Sequence, residues 1–313
     1  MTPPDAHAPL VLFAHGNSFP GGTYSQLLGA LRAQGLHTAA LDRFGHDPRY
    51  PVTSNWPHLV QQLADFAAPQ VAAHAAPVVL VGHSMGGFIS LMCAARFPRL
   101  GGRGVAGVVL LDSPLLGGWK ARVLAAAKGA QVVGALSPGR ISRKRRHQWP
   151  DEAAVRAHFS GKRAFAAWPA AVLDDYVAHG TEPVATPDGR TQWALRFDRD
   201  VETTVYNTLP HHMDRLLRQH PVGCPVGFVG GEQSTECRQV GLQLTRRVVQ
   251  ADRHPERLQQ LPGSHLFPLE HPQATARAVV AMLQAMVPDA LRGCSVVEQA
   301  AERTADGAAG PGR

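Results

Sequence analysis

The residues Gly82-His-Ser-Met-Gly-Gly87 decide the fold of this chain, because they join two segments of different character. Before them stands Pro77-Val-Val-Leu-Val81, an unbroken apolar run typical of a buried strand, and after them Phe88 to Ala95 has the composition of a helix. A serine with glycine two positions away on either side, between a strand and a helix, is the pattern of a sharp turn that exposes the hydroxyl. We therefore expect Ser84 to be a nucleophile held in a strained backbone conformation.

The glycines of this turn predict that the backbone approaches itself closely. A Cβ atom at Gly82 or Gly86 would collide with neighbouring backbone, which is why glycine serves at both positions. Met85 then lies at the start of the helix, where an unpaired N–H and the helix dipole can stabilise an oxyanion. The backbone amide of Met85 is thus a candidate oxyanion donor.

Length and composition indicate a globular protein with a sizeable core. The chain has 313 residues, of which 44% are hydrophobic, which suits one large α/β domain or one domain with an insertion. Its 4 cysteines lie far apart and form no C-x-x-C pair, so neither a zinc site nor a disulfide framework is indicated. The first residues lack the pattern of a secretion signal, and no apolar run approaches the roughly 20 residues that span a bilayer. We expect a cytoplasmic protein with no membrane span.

The positive charge is concentrated in one segment. The formal net charge is +7, and between Asp112 and Asp151 there are 8 lysine and arginine residues and no acidic one. The run Arg140 to Arg146 has the charge to meet a phosphate backbone or an anionic membrane. No aromatic interleaving or nucleic-acid module accompanies it, so we expect a solvated surface and no nucleic-acid partner.

Apolar strand segments alternate with helical segments in two parts of the chain. Such alternation predicts a doubly wound, mainly parallel α/β sheet of about six strands with helices on both faces. A helix is also predicted over Arg238 to Val249. The predicted strands are Leu10–Phe13, Leu36–Leu41, Pro77–Val81, Val105–Leu111, Val226–Val229 and Arg257–Leu261.

The alternation lapses between Leu115 and Pro210, where the pattern is mostly helical with one hairpin around Pro187-Asp-Gly189. The predicted organisation is therefore a core in two parts, residues 9–114 and 211–291, interrupted by an insertion over 115–210. Residues 292–313 are rich in Gly, Ala, Glu and Arg, and are predicted to form a mobile tail.

A serine hydroxyl is a poor nucleophile, so Ser84 needs a base, an orienting acid and oxyanion donors. Among 16 histidines, His265 is best placed, because its loop follows the last predicted strand and opens at the sheet edge where Ser84 emerges. After the first strand, Gly16 permits a tight turn that aims the amide of Asn17 into the site as a second oxyanion donor. His83, next to the nucleophile, is expected to be structural and to point away from the pocket.

Together these motifs resemble the α/β-hydrolase superfamily. The resemblance is carried by His15-Gly16, the turn at Ser84, and Gly263-Ser-His265 followed by Glu270-His-Pro272, in that order. It covers about residues 9 to 290 and implies an esterase-like serine hydrolase, with residues 115–210 as the helical cap and with no metal or cofactor. It also implies a core without the family's two leading strands, because the first predicted strand already leads to His15-Gly16.

The orienting acid departs from the family pattern. The resemblance places an Asp in a Gly-x-x-Asp pattern after the strand before the last, but that segment reads Gly230-Gly-Glu-Gln-Ser234. Some members instead carry the acid after the strand that follows the serine turn, and Asp112 stands there, at the same sheet edge as Ser84. Asp112 is the preferred acid, with Glu232 as the main alternative and Glu236 as a further one. Asp112-Ser-Pro is also a turn signal, so a purely capping role for its carboxylate stays open.

These residues predict hydrolysis of a carboxylic ester or thioester through an acyl-enzyme on Ser84. His265 would be the base and Asp112 its acid, and the amides of Asn17 and Met85 would form the oxyanion hole. Alternatives on the same scaffold are carbon–carbon bond hydrolysis, acyl transfer and a ligand-binding sensor without turnover. Six aromatic residues of the insertion either line the pocket or pack within the cap: Trp149, Phe159, Phe165, Trp168, Tyr176 and Tyr206.

Overall fold

The structure is a computed structural model that describes residues 8–129 and 139–291. The predicted mobile tail, 292–313, lies outside the described residues. None of the helices in the described part of the chain combines the length and the apolar character that a bilayer crossing requires.

The described residues contain two sheets. Their strands are β1 (Leu10–Ala14), β2 (His37–Ala40), β3 (Val78–His83), β4 (Arg99–Leu100), β5 (Arg103–Leu111), β6 (Gln148–Trp149), β7 (Thr181–Ala185), β8 (Thr191–Leu195), β9 (Val226–Gly231) and β10 (Leu258–Leu261). The large sheet has the order β10-β9-β5-β3-β1-β2, and each of these neighbours is parallel to the next. Only the two-residue β4 is antiparallel, at the start of β5. The mainly parallel α/β sheet of about six strands is therefore confirmed, and β1, which leads to His15-Gly16, is the first strand described.

Alternate residues of the central strands face opposite sides of the sheet, and each side is covered by helices. Helices Ser25–Ala33 and Pro272–Met286 pack on the side of Val11 and Phe13. Helices Pro57–Ala72 and Met85–Arg96 pack on the other side. The remaining helices near the sheet are Met213–Gln219, Thr235–Val240, Gln243–Val249 and Phe267–Glu270. Two apolar cores thus flank one sheet, as in a doubly wound fold.

The prediction of one helix over Arg238 to Val249 is wrong, because two helices occupy this region. The first ends at Val240 and the second begins at Gln243. Gly241 between them has φ 79° and ψ 164°, a backbone conformation outside the helical region that glycine adopts readily, so the first helix ends before it.

The segment between β5 and β9 holds helices and a small antiparallel sheet. The helices are Gly118–Gly129, Gly139–Lys144, Glu152–Ser160, Ala170–Gly180 and Arg199–Asn207. The hairpin expected around Gly189 is formed by β7 and β8, and β6 adds a third strand beside β8 that the sequence did not indicate. The fold class, a sheet core with a mostly helical insertion, agrees with this arrangement.

The basic segment is partly neutralised by acidic residues of helix Arg199–Asn207. The guanidinium of Arg145 lies 3.2 Å from a carboxylate oxygen of buried Glu202, and that of Arg143 lies 4.0 Å from Asp200. The guanidinium of Arg199 in turn donates to the backbone carbonyl oxygens of Arg143 and Arg145. Part of the positive charge is thus used in contacts within the insertion between β5 and β9.

Candidate active site

The turn at Ser84 has the geometry that its glycines predict. β3 ends at His83, the next helix begins at Met85, and Ser84 between them has φ 52° and ψ −117°. A Cβ atom on Gly82 would lie 2.3 Å from the backbone of Gly86, and one on Gly86 would lie 2.0 Å from the carbonyl oxygen of Ala14. Any side chain at these two positions would therefore force the turn apart.

Neighbouring strand β5 holds the strained turn in place. The N–H of Ser84 donates to the carbonyl oxygen of Leu111 at 2.9 Å. The hydroxyl of Ser113 donates to the carbonyl oxygen of Ser84 at 2.8 Å. Hydrogen bonds on both the N–H and the carbonyl oxygen of Ser84 thus hold its strained backbone conformation, which costs about 1–3 kcal/mol.

The structure brings three of the sequence-derived candidates into one hydrogen-bonded row. His265 lies in the loop after β10, and its Nε2 is 2.9 Å from Oγ of Ser84. Its Nδ1 is 2.6 Å from Oδ2 of Asp112. Since a carboxylate only accepts, Nδ1 carries a proton and Nε2 is free to accept one from the serine hydroxyl. This arrangement can make the hydroxyl of Ser84 nucleophilic.

Asp112 occupies a buried position at the end of β5 and accepts several hydrogen bonds. Its side chain is fully buried and its φ is 44°. Oδ1 accepts from the N–H of Gly231 at 2.7 Å and from the thiol of Cys237 at 3.4 Å. Oδ2 accepts from the hydroxyl of Ser234 at 2.6 Å as well as from His265. Asp112 therefore caps backbone, as its turn signal allows, and also contacts the imidazole.

The environment sets the protonation of this pair. Burial alone would raise the pKa of Asp112, but the hydrogen bonds from His265, Ser234 and Gly231 hold the pKa below its ordinary value. Burial would likewise lower the pKa of His265, but the hydrogen bond and charge of Asp112 outweigh it and raise the pKa above 6.5. Asp112 is thus an anion near neutral pH, and His265 is a stronger base than an ordinary histidine.

Neither of the alternative acids, Glu232 and Glu236, forms a hydrogen bond with His265. Glu232 is exposed, and its backbone N–H donates to the carbonyl oxygen of Leu261. Oε2 of Glu236 lies 3.8 Å from Nδ1 of His265, beyond hydrogen-bonding distance, and accepts from the hydroxyl of Thr235. The geometry therefore puts only Asp112, of the three candidates, in a hydrogen bond with His265.

A further carboxylate organises the loop of the base. Glu270 is buried, and its side chain accepts from both the N–H and the hydroxyl of Ser264. Gly263 has φ 120°, and a Cβ atom there would lie 2.6 Å from Oε2 of Glu270. Glu270 thus fixes the turn that carries His265. The Ser264-to-Glu270 spacing was visible in the sequence, but nothing marked the two as partners.

Asp112, Glu236 and His265 are also the one group of possible metal ligands among the described residues, with ligand atoms within 4.8 Å of one another. Both oxygens of Asp112 and both ring nitrogens of His265 already form hydrogen bonds. A cation would have to break the bond between Asp112 and His265. The group therefore suits proton transfer better than metal binding.

The loop after β1 approaches the same site. Buried His15 holds this loop: its Nδ1 contacts the carbonyl oxygen of Gly16 at 2.8 Å, and its Nε2 accepts from the N–H of Phe44 at 3.0 Å. The side-chain amide of Asn17 donates to the carbonyl oxygen of Glu202 at 3.1 Å, which joins this loop to helix Arg199–Asn207 of the insertion. Met85 is the first residue of its helix, where an N–H has no intrahelical partner. Both predicted oxyanion residues thus lie beside Ser84 in the fold.

A cavity of about 620 Å³ is lined by both Ser84 and His265. Of the six aromatic candidates in the insertion, Tyr206 lines it. Trp149, Phe159, Phe165, Trp168 and Tyr176 instead form a cluster in which neighbouring ring centroids lie 4.4 to 5.9 Å apart. The lining residues are Gly16, Asn17, Phe19, His83, Ser84, Arg163, Ala164, Tyr206, Gln233, Thr235, Glu236, Ser264, His265, Leu266 and Glu270.

The sequence of the chain matches that of a known family over most of its length. Residues 11–278 match the alpha/beta hydrolase family. The chain belongs to this family. A search of curated proteins finds no match.

Solved structures share the fold of this hydrolase. An E-2-(acetamidomethylene)succinate hydrolase is 24% identical, with 88% of this chain and 91% of that chain covered and a TM-score of 0.62. A thioesterase domain from the curacin biosynthetic pathway is 20% identical, with coverages of 88% and 92% and a TM-score of 0.62. A hypothetical protein of Pseudomonas aeruginosa PAO1 is 26% identical, with coverages of 90% and 93% and a TM-score of 0.56.

Proposed function

We propose that this α/β hydrolase cleaves a small-molecule carboxylic ester or thioester through an acyl-enzyme on Ser84. The observation that carries the proposal is the row of hydrogen bonds from Ser84 through His265 to Asp112, at 2.9 and 2.6 Å, on the wall of a cavity. We further propose that residues 115–210 act as the cap over this cavity. A cytoplasmic location and the absence of a nucleic-acid partner stay predictions.

In the first half-reaction, Oγ of Ser84 attacks the carbonyl carbon while Nε2 of His265 takes the hydroxyl proton. Negative charge then develops on the carbonyl oxygen, where the amides of Asn17 and Met85 stabilise it. The imidazolium formed on His265 is stabilised by the carboxylate of Asp112. His265 returns the proton to the departing alcohol or thiol, and the acyl group stays on Ser84.

In the second half-reaction, a water molecule replaces the departed alcohol or thiol. Nε2 of His265 removes a proton from this water, whose oxygen attacks the acyl carbon. Collapse of the second tetrahedral intermediate breaks the bond to Oγ of Ser84, which recovers its proton from His265. The products are a carboxylic acid and the free enzyme, so one base serves both halves of the cycle.

The test is the variant Ser84→Ala, assayed with an activated aryl ester and with a fluorophosphonate probe. We expect loss of both turnover and covalent labelling, because the variant lacks the attacking oxygen. Ser90→Ala is the matched control, since it removes a buried hydroxyl from the helix that follows Ser84, and that hydroxyl makes no hydrogen bond among the described residues. Labelling that persists in Ser84→Ala would refute the assignment of the nucleophile.

The same assays separate two of the other hypotheses on this scaffold, the sensor without turnover and the acyltransferase. A sensor without turnover would form one stable adduct on Ser84 and release no further product. An acyltransferase would give a new ester when an alcohol is added, at the expense of the acid. Steady release of acid and alcohol, with neither behaviour, supports hydrolysis.

A further inference from the structure

Three hydrogen bonds beneath the active site join segments that are far apart in sequence. The N–H of Gly16 donates to the hydroxyl oxygen of Tyr24 at 3.1 Å. That hydroxyl lies 2.7 Å from Nδ1 of His83, and Nε2 of His83 lies 2.9 Å from the carbonyl oxygen of His265. Tyr24 is fully buried and His83 is 1% exposed, so water does not compete for these bonds.

The direction of each bond follows from its chemistry. The carbonyl oxygen of His265 only accepts, so Nε2 of His83 must donate. Burial and the neighbouring His265 lower the pKa of His83 to about 3, so the ring is neutral and its Nδ1 accepts. The hydroxyl of Tyr24 therefore donates to His83 while its oxygen accepts from Gly16. Each of the three hydrogen bonds thus has one donor and one acceptor.

The row connects the three segments that the proposed chemistry uses. Gly16 precedes Asn17 in the oxyanion loop, His83 precedes the nucleophile, and His265 is the base itself. A Cβ atom on Gly16 would lie 2.9 Å from Nδ1 of His83 and 3.0 Å from the hydroxyl of Tyr24, so the oxyanion loop rests directly on this pair. The rings of His83 and His265 also face each other, with centroids 5.1 Å apart. The expectation that His83 is structural fits this role. The expectation that His83 points away from the pocket is wrong, because His83 lines the cavity and its ring lies beside that of His265.

We propose that Tyr24 and His83 are positioning residues that hold the oxyanion loop and the loop of the base at fixed distances from Ser84. The inference rests on the proposed function, because it assigns the two residues an effect on the same reaction. They touch neither the reacting carbonyl nor the proton in transit. Their effect is on geometry: a small displacement of His265 or of the Asn17 amide lowers the rate of chemistry.

Substitutions at His83 can remove the two ends of the row separately. The side-chain amide of asparagine reaches about as far as Nδ1 of histidine, and that of glutamine about as far as Nε2. His83→Asn therefore keeps a partner for Tyr24 but loses the bond to the loop of the base. His83→Gln keeps the bond to that loop, and His83→Leu keeps neither.

The experiment measures kcat and KM for an aryl ester and the rate of fluorophosphonate labelling, together with the melting temperature of each variant. We expect kcat and the labelling rate to fall about a hundredfold in His83→Leu and about tenfold in His83→Asn and in Tyr24→Phe. KM should stay within about twofold in Tyr24→Phe, because Tyr24 is not among the residues that line the cavity. His83→Gln should recover most of the loss seen in His83→Leu.

Tyr176→Phe is the matched control, because it removes the hydroxyl of an equally buried tyrosine that belongs to the cap. A kcat in Tyr24→Phe or His83→Asn equal to that of the control would overturn the inference. So would a uniform loss in all His83 variants that follows their melting temperatures and is not relieved by glutamine. Failure of the proposed function has a different signature, since the wild-type protein would then be neither labelled nor active.

Discussion

The ends of strands β5 and β9 make an instructive comparison. The resemblance to the family places the orienting acid after β9, where this chain has Ser234, whereas the carboxylate is on Asp112 after β5. The two strands are parallel neighbours, and Leu111 of β5 pairs with Val229 of β9. A side chain from either strand end can therefore reach the same imidazole.

In this chain the two strand ends divide roles that the resemblance would give to the end of β9 alone. Ser234 stands where the family acid is expected, and its hydroxyl donates to Oδ2 of Asp112. The N–H of Gly231, also from the β9 end, donates to Oδ1. The end of β9 thus supplies hydrogen-bond donors to a charge that the end of β5 carries. Relative to the family pattern, the carboxylate has moved from the end of β9 to the end of β5, and the end of β9 now supplies hydrogen-bond donors to it.

The largest expected effect comes from neutralising each candidate acid, which tests whether Asp112 or Glu232 orients His265. We predict that Asp112→Asn lowers kcat by about ten-thousandfold, because the imidazole loses its correct tautomer and its counter-charge. Glu232→Gln should leave kcat within about twofold, because an exposed carboxylate away from the site adds little. Steady-state kinetics on one aryl ester decides between them. A large loss in Glu232→Gln with a small loss in Asp112→Asn would reverse the assignment.

The exchange of acid and donor can also be tested by moving the carboxylate. In Asp112→Asn combined with Ser234→Asp, we expect kcat to recover about a hundredfold relative to Asp112→Asn alone, because the new carboxylate starts from the neighbouring strand end. Ser234→Asp in the wild-type background is the control, and should be slower than wild type because two like charges meet in a buried space. No recovery in the double variant would mean that the β9 end cannot present an acid to His265.

The donors at the β9 end predict a smaller effect. Ser234→Ala removes one hydrogen bond to Asp112 and the cap of helix Thr235–Val240, whose Cys237 N–H donates to the Ser234 hydroxyl. We expect kcat to fall about tenfold and stability to fall by about 1 kcal/mol. Ser234→Thr, which keeps the hydroxyl, should preserve most of both. Kinetics and thermal unfolding of the two variants measure the difference, and equal losses in both would exclude the hydroxyl as the cause.

The pH profile gives the mildest test. Only neutral His265 can act as a base, so kcat/KM should rise with pH through the pKa of His265, which lies above 6.5 in the wild type. In Asp112→Asn the residual activity should show this midpoint at lower pH, since burial lowers the pKa of an imidazole and the carboxylate no longer opposes it. A midpoint that stays in place would show that another group controls the titration.

Local sequence was sufficient for some parts of this molecule. Glycine spacing around Ser84 depends only on sterics within a few residues, and apolar runs such as Leu10–Phe13 fall within the observed strands. The family assignment and the sheet follow from such signals. The prediction of one helix over Arg238–Val249 was wrong because Gly241, with φ 79° and ψ 164°, ends the first helix at Val240.

Contacts between distant segments were not accessible from the sequence. The sequence left Asp112 and Glu232 as alternatives, because the choice depends on which strand end faces the loop of the base. The hydrogen bonds of His83 to Tyr24 and to the backbone of His265 join residues 59 and 182 positions apart in the sequence. No spacing pattern in the sequence predicts such contacts. Hydrophobic periodicity indicates where helices and strands lie, but the contacts between loops depend on how those helices and strands pack together.

The proposed reaction requires that Ser84 becomes acylated during turnover. Its most direct measurement is a rapid-quench experiment with an activated aryl ester, in which released phenol is counted and the protein is digested for mass spectrometry. We predict a burst of about one phenol per chain and an acyl mass on the peptide that contains Ser84, provided that deacylation is the slower step. Acylation of a different residue would contradict the proposed acyl-enzyme on Ser84. So would phenol release under single-turnover conditions with no covalent intermediate at any quench time.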